Sequence, residues 1–317
     1  IAPERLGVYV GSGIGGITTF VIETLKLQER GPSRVSPFFI PMMISNMAAG
    51  TIAIRFAAKG PTLPVVTACA TSSNTVGEAF RAIAYGYADA ILAGGSEATI
   101  CPLAVAGFTN SMALCESSDP DRASIPFDAQ RSGFVMGEGA GMLVLEEYEH
   151  AAARDAKIYA EVVGYGNTCD AYHITAPHPE AEGAARAFAL AVEQAGISSA
   201  DKVYINAHGT STPMNDKVET LAVKKALGDA AYRAQISSTK SMTGHMLGAA
   251  GAVEAIASVL ALHTGVLPPT VGYRDADPEC DLDYIPNQAR KSAVDFSISS
   301  SLGFGGHNAV LAFKKLD

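Results

Sequence analysis

The sequence predicts an α/β fold with buried sheets, laid out as two successive series of strands and helices. Three observations predict it. Apolar runs of strand length alternate along the chain with Ala-rich segments of helical spacing. Small-residue turns punctuate the junctions between them. The pattern restarts near Ile158, so 317 residues divide into about two units of ordinary domain size. The expected division is 1–155 and 156–317.

In the first series, Leu6 to Val10 is an apolar strand feeding a Gly-rich turn, Gly11-Ser12-Gly13-Ile14-Gly15-Gly16. Leu63 to Val66 is a second strand, short because Pro64 cannot donate to a ladder. It leads into Thr67-Ala68-Cys69 and then a helix over Ser73 to Ala88, with Thr75, Val76, Phe80 and Ile83 near helical spacing. Ala90 to Ala93 is a strand closed by Gly94-Gly95, Gly141 to Glu146 another, and Tyr148 to Arg154 a helix. The second series reads as strand Glu161 to Val163, helix Ala181 to Ala195, strand Val203 to Ala207 and helix Lys217 to Leu227. Then follow Gln235 to Ser238, the helix Ala249 to His263, and strands around Ala293 to Ser299 and Ala309 to Phe313. Val65 to Ala88, with Cys69, and Ile236 to His263, with His245, share one plan. Each is a strand, a small-residue turn with a reactive side chain, and a long Ala-rich helix.

Composition narrows the function. Apolar residues make up 48% and charged residues 17%, enough for a large core and too apolar for disorder. The net charge is −9 and no long Lys/Arg run exists, which argues against nucleic-acid binding. No segment has the roughly 18 consecutive apolar residues of a membrane span. Ile1 to Arg5 lacks the features of a secretory signal. The cysteines Cys69, Cys101, Cys115, Cys169 and Cys280 are odd in number and form no C-x-x-C pair, so they read as reduced thiols in a cytosol. A soluble, cytoplasmic protein is expected.

Four segments carry candidate chemistry. Cys69 sits on a turn between strand and helix, where the positive end of the helix dipole favours a thiolate. It reads either as an activated nucleophile or as a buried structural thiol, the common fate of free cysteine. His208 follows the strand Val203 to Asn206 in Asn206-Ala207-His208-Gly209-Thr210-Ser211-Thr212. It either faces a cavity or caps its own turn. His245 precedes a helix with almost no bulk on its first turns, and Lys240 lies five residues upstream. That lysine is either solvated or buried and paired, with Glu254 the candidate partner. In Gly303-Phe304-Gly305-Gly306 a bulky ring stands among glycines, which suits either a mobile loop or a core aromatic on a tight turn.

In this order, the T-A-C, N-A-H-G-T-S-T and K-S-x-x-G-H-x-x-G-A-A-G segments resemble the β-ketoacyl-acyl-carrier-protein synthases of the thiolase-like fold. So does Pro126-Phe127-Asp128 with Gly133 to Gly139. The resemblance runs from Leu6 to Phe313 and is nearest to the elongating type II enzymes. It implies a duplicated αβαβα five-layer fold and a homodimer. Relative to that family the chain starts late, so the fold is expected without its N-terminal segment and first core strand.

The resemblance also implies roles. Cys69 would take the acyl group from a carrier-protein thioester. His208 and His245 would hold the malonyl thioester while carbon dioxide leaves. Lys240, with Glu254, would set the charge around His245. Backbone N–H groups of Cys69 and Phe304 would form an oxyanion hole. Thr210 and Thr212 would bind the pantetheine arm. Phe304 and Phe108 would be gate and tunnel positions, and Ile14 a pocket wall near the dimer interface. Arg34 would belong to the carrier-protein docking patch, or is an ordinary surface arginine. The chemistry implies no metal and no organic cofactor. Degradative thiolases place a second cysteine where His245 stands, starter condensing enzymes have Cys, His and Asn, and inactive chain-length subunits lack the nucleophile. A polyketide-type ketosynthase of the same mechanism stays open beside fatty-acid elongation.

Overall fold

A computed structural model describes residues 1–316; Asp317, the last residue of the second half, lies outside the described residues. The strands of the first series are β1 (Leu6–Gly11), β2 (Thr62–Leu63), β3 (Ala90–Glu97) and β4 (Gly139–Glu146). Its helices are α1 (Ile17–Arg30), α2 (Phe39–Met43), α3 (Met47–Phe56), α4 (Thr71–Ala84), α5 (Pro102–Asn110) and α6 (Tyr148–Ala152). The second series begins with β5 (Glu161–Cys169), α7 (Glu182–Ala195), β6 (Val203–Asn206), α8 (Pro213–Leu227) and β7 (Gln235–Ser237). It continues with α9 (Lys240–Thr243) and α10 (Ala250–Thr264). A two-stranded ribbon, β8 (Val266–Leu267) with β9 (Arg290–Lys291), precedes the hairpin of β10 (Phe296–Gly303) and β11 (His307–Lys314).

The two sheets share one plan. The second runs β7-β6-β10-β11-β5, with β7, β6 and β10 parallel and β11 antiparallel to them. The first runs β2-β1-β3-β4, again three parallel strands and then an antiparallel one. Superposing the orders leaves no counterpart of β5, so the outer edge of β4 is unpaired among the described residues. The first half-sheet thus has four strands among the described residues, one fewer than the second.

Equivalent strands lead to equivalent helices. The Cys69 turn and α4 follow β2, and the His245 turn and α10 follow β7. Both helices form the central layer. The α4 helix packs on β3 and β1, and α10 on β10 and β4. They touch where Gly251 leaves no side chain, since a Cβ there would sit 2.8 Å from the Ser73 nitrogen. The Ala252 N–H donates to Ser72 Oγ across the same contact, at 2.8 Å. One outer layer is α1 to α3, with α3 against β1, and the other is α7 and α8, with α7 against β5 and β11. The result is the expected five-layer α/β/α/β/α arrangement.

Several expectations need correction. The strand expected over Leu63 to Val66 is only Thr62–Leu63, because Pro64 has no N–H with which to extend the ladder. Helices α1, α2, α3 and α5 were not expected. The stretch Leu247–Thr264 is long and apolar enough to cross a membrane by length and composition. It lies in the layer between the sheets and carries a buried, paired Glu254, as the core helix of a double-sheet fold does.

Candidate active site

Cys69 lies in a single 3₁₀ turn, Ala68–Ala70, which runs into α4 at Thr71. Ala68 has φ of +50°, a conformation that costs a non-glycine residue energy and persists only where its surroundings enforce it. Thr71 Oγ1 accepts the Thr67 N–H at 2.9 Å and Asn74 Nδ2 donates to Thr67 Oγ1 at 2.8 Å, which fix the approach to the turn. The end of β10 abuts it: a Cβ on Gly303 would lie 2.7 Å from the Thr67 carbonyl oxygen and 3.3 Å from the Cys69 nitrogen.

The thiol is half-buried in a cavity of about 360 Å³ lined by Cys69, His208, His245 and Phe304 among others. Burial pushes the Cys69 thiol up to about 12, although the positive charge of Lys240 and the Phe304 backbone N–H favour its thiolate. The expectation of a thiolate stabilised by its helix is thus opposed by desolvation in this structure.

His208 lies two residues past the end of β6, and His245 follows α9. Their rings are buried and meet edge to face, with centroids 5.2 Å apart. Lys240 Nζ stands 3.3 Å from His208 Nδ1, and an ammonium can only donate, so Nδ1 is the acceptor. The Leu247 backbone N–H likewise donates to His245 Nδ1 at 3.3 Å. Burial first, then the charge of Lys240, holds both imidazoles well below their ordinary pKa; for His208 the second histidine adds to this. Both rings are therefore neutral near pH 7, with their protons on Nε2. Each presents an N–H donor.

Lys240 is buried and paired with Glu254 on α10, which settles the alternative left open for it. Thr210 and Thr212 line the cavity, their hydroxyls 2.9 Å apart. Phe108 also lines it, edge-on to Phe134 at 5.4 Å. Phe304 is a half-buried ring in the turn of the β10–β11 hairpin and lines the cavity, so it is not a core aromatic. Ile14 and Arg34 are elsewhere: Ile14 is 40% exposed in the loop after β1, and Arg34 is exposed at the end of a short 3₁₀ turn after α1. Among the described residues, no group of three or more His, Cys, Asp or Glu side chains is arranged to hold a metal.

Sequence reasoning missed two buried carboxyl groups around this cavity. Glu219 on α8 accepts the backbone N–H groups of His208 and Gly209, at 2.7 and 2.8 Å, and the Ser300 hydroxyl at 2.6 Å. Burial pushes its carboxyl up to about 7 against those donors. Its signal was an acid, like Asp216, within a helix whose other buried positions include Val218, Thr220, Ala222 and Val223. Glu97 closes β3 and receives donors from both halves of the molecule.

Fold and cavity together define a thiolase-like condensing enzyme. Residues 1–151 match the family described as "Beta-ketoacyl synthase, N-terminal domain", and residues 159–274 match "Beta-ketoacyl synthase, C-terminal domain". The chain belongs to the β-ketoacyl synthase family. Among curated relatives, it is 56% identical over 313 residues to the 3-oxoacyl-[acyl-carrier-protein] synthase 2 of Synechocystis sp., covering 98% of this chain and 75% of that protein. It is 54% identical over 314 residues to the protein of the same name from Staphylococcus aureus, covering 99% and 76%. Among solved structures, it is similar to a type II polyketide ketosynthase in complex with its acyl-carrier protein, at 37% identity and a TM-score of 0.97, covering 100% of this chain and 79% of that one. A β-ketoacyl synthase from Burkholderia phymatum is 38% identical with a TM-score of 0.91, covering 100% and 77%.

Proposed function

We propose that the protein condenses malonyl-acyl-carrier protein with an acyl group held on Cys69, with loss of carbon dioxide, and so elongates fatty acyl chains by two carbons. One observation carries this reading: a single cavity joins a cysteine at a helix start to two neutral histidines whose remaining N–H groups are donors. In the first half-reaction, Cys69 sulfur bonds to the acyl carbon, the bond to the carrier's sulfur breaks, and the thiol proton leaves with the carrier thiol. Cys69 and Phe304 backbone N–H groups take the oxyanion of this step. In the second, the bond from the malonyl α-carbon to its carboxylate breaks and carbon dioxide leaves. The electron pair passes into an enolate whose oxygen accepts from Nε2 of His208 and His245. The α-carbon then attacks the acyl-cysteine, and the Cys69 thiolate is expelled.

Lys240 keeps proton occupancy on Nε2 of His208 by facing Nδ1, and Glu254 balances its charge. Thr210 and Thr212 hold the pantetheine arm, Phe108 borders the acyl tunnel, and Phe304 gates it. Ile14 contributes to the acyl pocket from beside a second copy, and Arg34 docks the acidic carrier protein. We take residues 1–155 as the half that supplies the nucleophile and 156–317 as the half that supplies the histidines. The enzyme acts as a cytoplasmic homodimer. The similarity to a type II polyketide ketosynthase supports a second reading with the same chemistry, but at 37% identity it lies below the 54–56% shared with the 3-oxoacyl-[acyl-carrier-protein] synthases. Supplying acyl- and malonyl-carrier proteins and weighing the products tests the proposal. A 3-oxoacyl product two carbons longer, with the acyl group found on Cys69 by mass spectrometry, supports it. Repeated condensation without reduction favours the polyketide reading, and acyl label on another cysteine overturns both.

A further inference from the structure

Apart from Ile14, the Gly-rich turn after β1 has no role in the chemistry above, yet one buried carboxylate joins it to the turn that follows His245. Glu97 closes β3, the strand equivalent to β10, whose own end brings Phe304 to the site. Glu97 is 3% exposed. Its Oε1 accepts from Ser12 Oγ at 2.8 Å and from the Ile14 N–H at 3.2 Å. Its Oε2 accepts from the Gly13 N–H at 2.8 Å and from the Gly248 N–H at 3.0 Å. No salt bridge within 4.0 Å is formed by this carboxylate among the described residues; four donors satisfy it instead.

Those donors tie the loop after β1 to the turn that follows His245. Gly248 follows Leu247, whose N–H sets the tautomer of His245. Leu247 is buried with φ of +47°, a strained conformation for leucine. On the other side, a Cβ on Gly13 would lie 2.7 Å from Glu97 Oε2, 3.2 Å from the Ala68 carbonyl oxygen and 3.4 Å from the Gly248 nitrogen. Ala68 is the strained residue before Cys69. One carboxylate therefore holds the turn following His245 against Gly13, which itself packs beside the strained turn leading to the nucleophile.

We propose that Glu97 is a positioning residue for the decarboxylation step: by holding the Gly248 N–H against the Ser12–Ile14 loop, it fixes the Leu247 peptide and through it the His245 ring relative to Cys69. The proposal rests on the condensing function above. A carboxylate is required because all four neighbours donate. An amide at this place presents an NH₂ group to one pair of donors however it is turned.

The test measures acyl loading of Cys69 and carbon dioxide release from malonyl-carrier protein separately, with melting temperature, in wild type, Glu97→Gln and Ser12→Ala. In folded Glu97→Gln, carbon dioxide release should fall by on the order of tenfold or more, as expected for a misplaced donor, while loading stays within about threefold. Ser12→Ala, which loosens only the loop side, should shift the ratio of the two rates in the same direction by less, and it decides the matter if Glu97→Gln does not fold. An unchanged ratio in Ser12→Ala and in any folded Glu97→Gln overturns the proposal. So does an equal loss of both half-reactions. If wild type itself neither loads nor decarboxylates, the condensing function fails instead.

Discussion

The Cys69 thiol, raised to about 12 by burial, is protonated at rest, and the cavity stabilises its anion only through Lys240 and the Phe304 N–H. The Lys240–Glu254 pair is therefore the charge balance of the site. Removing Lys240 leaves a buried carboxylate without its partner, which costs about 3–5 kcal/mol. Lys240→Ala should lower stability by that amount, and Lys240→Ala with Glu254→Ala should recover a large part of it; additive losses in the denaturation cycle contradict the pairing. Glu219 makes a second prediction. Its carboxyl is raised from 4.5 to about 7, so between those values the folded chain binds more protons than the unfolded chain. The stabilisation it provides is complete below 4.5 and is lost as pH rises through about 7. Denaturant titrations should show that loss in wild type and a flatter profile in Glu219→Gln; identical slopes contradict it. This carboxyl was hidden in the sequence because its partners are backbone N–H groups ten and eleven residues away, which no motif marks. Lys240 and Glu254 were legible because both lie within the segment around His245.

At the scale of elements, the β10–β11 hairpin decides how close the gate comes to the nucleophile. Gly303 has no room for a methyl group, and its obstacles are backbone atoms that cannot turn aside. Gly303→Ala should push the hairpin from the Cys69 turn and lower condensation by on the order of tenfold to a hundredfold. Activity within about twofold of wild type would show that the contact yields. Phe304, half-buried on the turn, should behave differently. Phe304→Ala should slow acyl loading while costing less than the roughly 3–5 kcal/mol of a core phenylalanine. A large stability loss with normal loading makes the ring structural. Here the sequence showed a bulky ring among glycines but not the hairpin, because the serine-rich strand before it lacks the apolar pattern of an ordinary buried strand. β10 is buried nonetheless, with Ser297, Ser299, Ser300 and Ser301 inside. The reverse held at β2, where an apolar run suggested a longer strand than Pro64 allows.

On the scale of the whole molecule, the paired sheets explain why two turns far apart in the chain face each other. Each follows the equivalent short edge strand and enters the shared central layer. The alternation of strands and helices made this plan legible; the strand orders did not follow from it, because pairing is settled by packing between segments remote in sequence.

The central claim is that Cys69 and the histidine pair serve different half-reactions in one cavity. The direct measurement is intact-protein mass spectrometry of acyl loading alongside carbon dioxide release from malonyl-carrier protein, in His208→Ala and His245→Ala. Both variants should still form acyl-Cys69, and release should fall by about two or more orders of magnitude, the loss expected for an oxyanion donor. Loss of loading equal to the loss of release in both variants would contradict the division of labour.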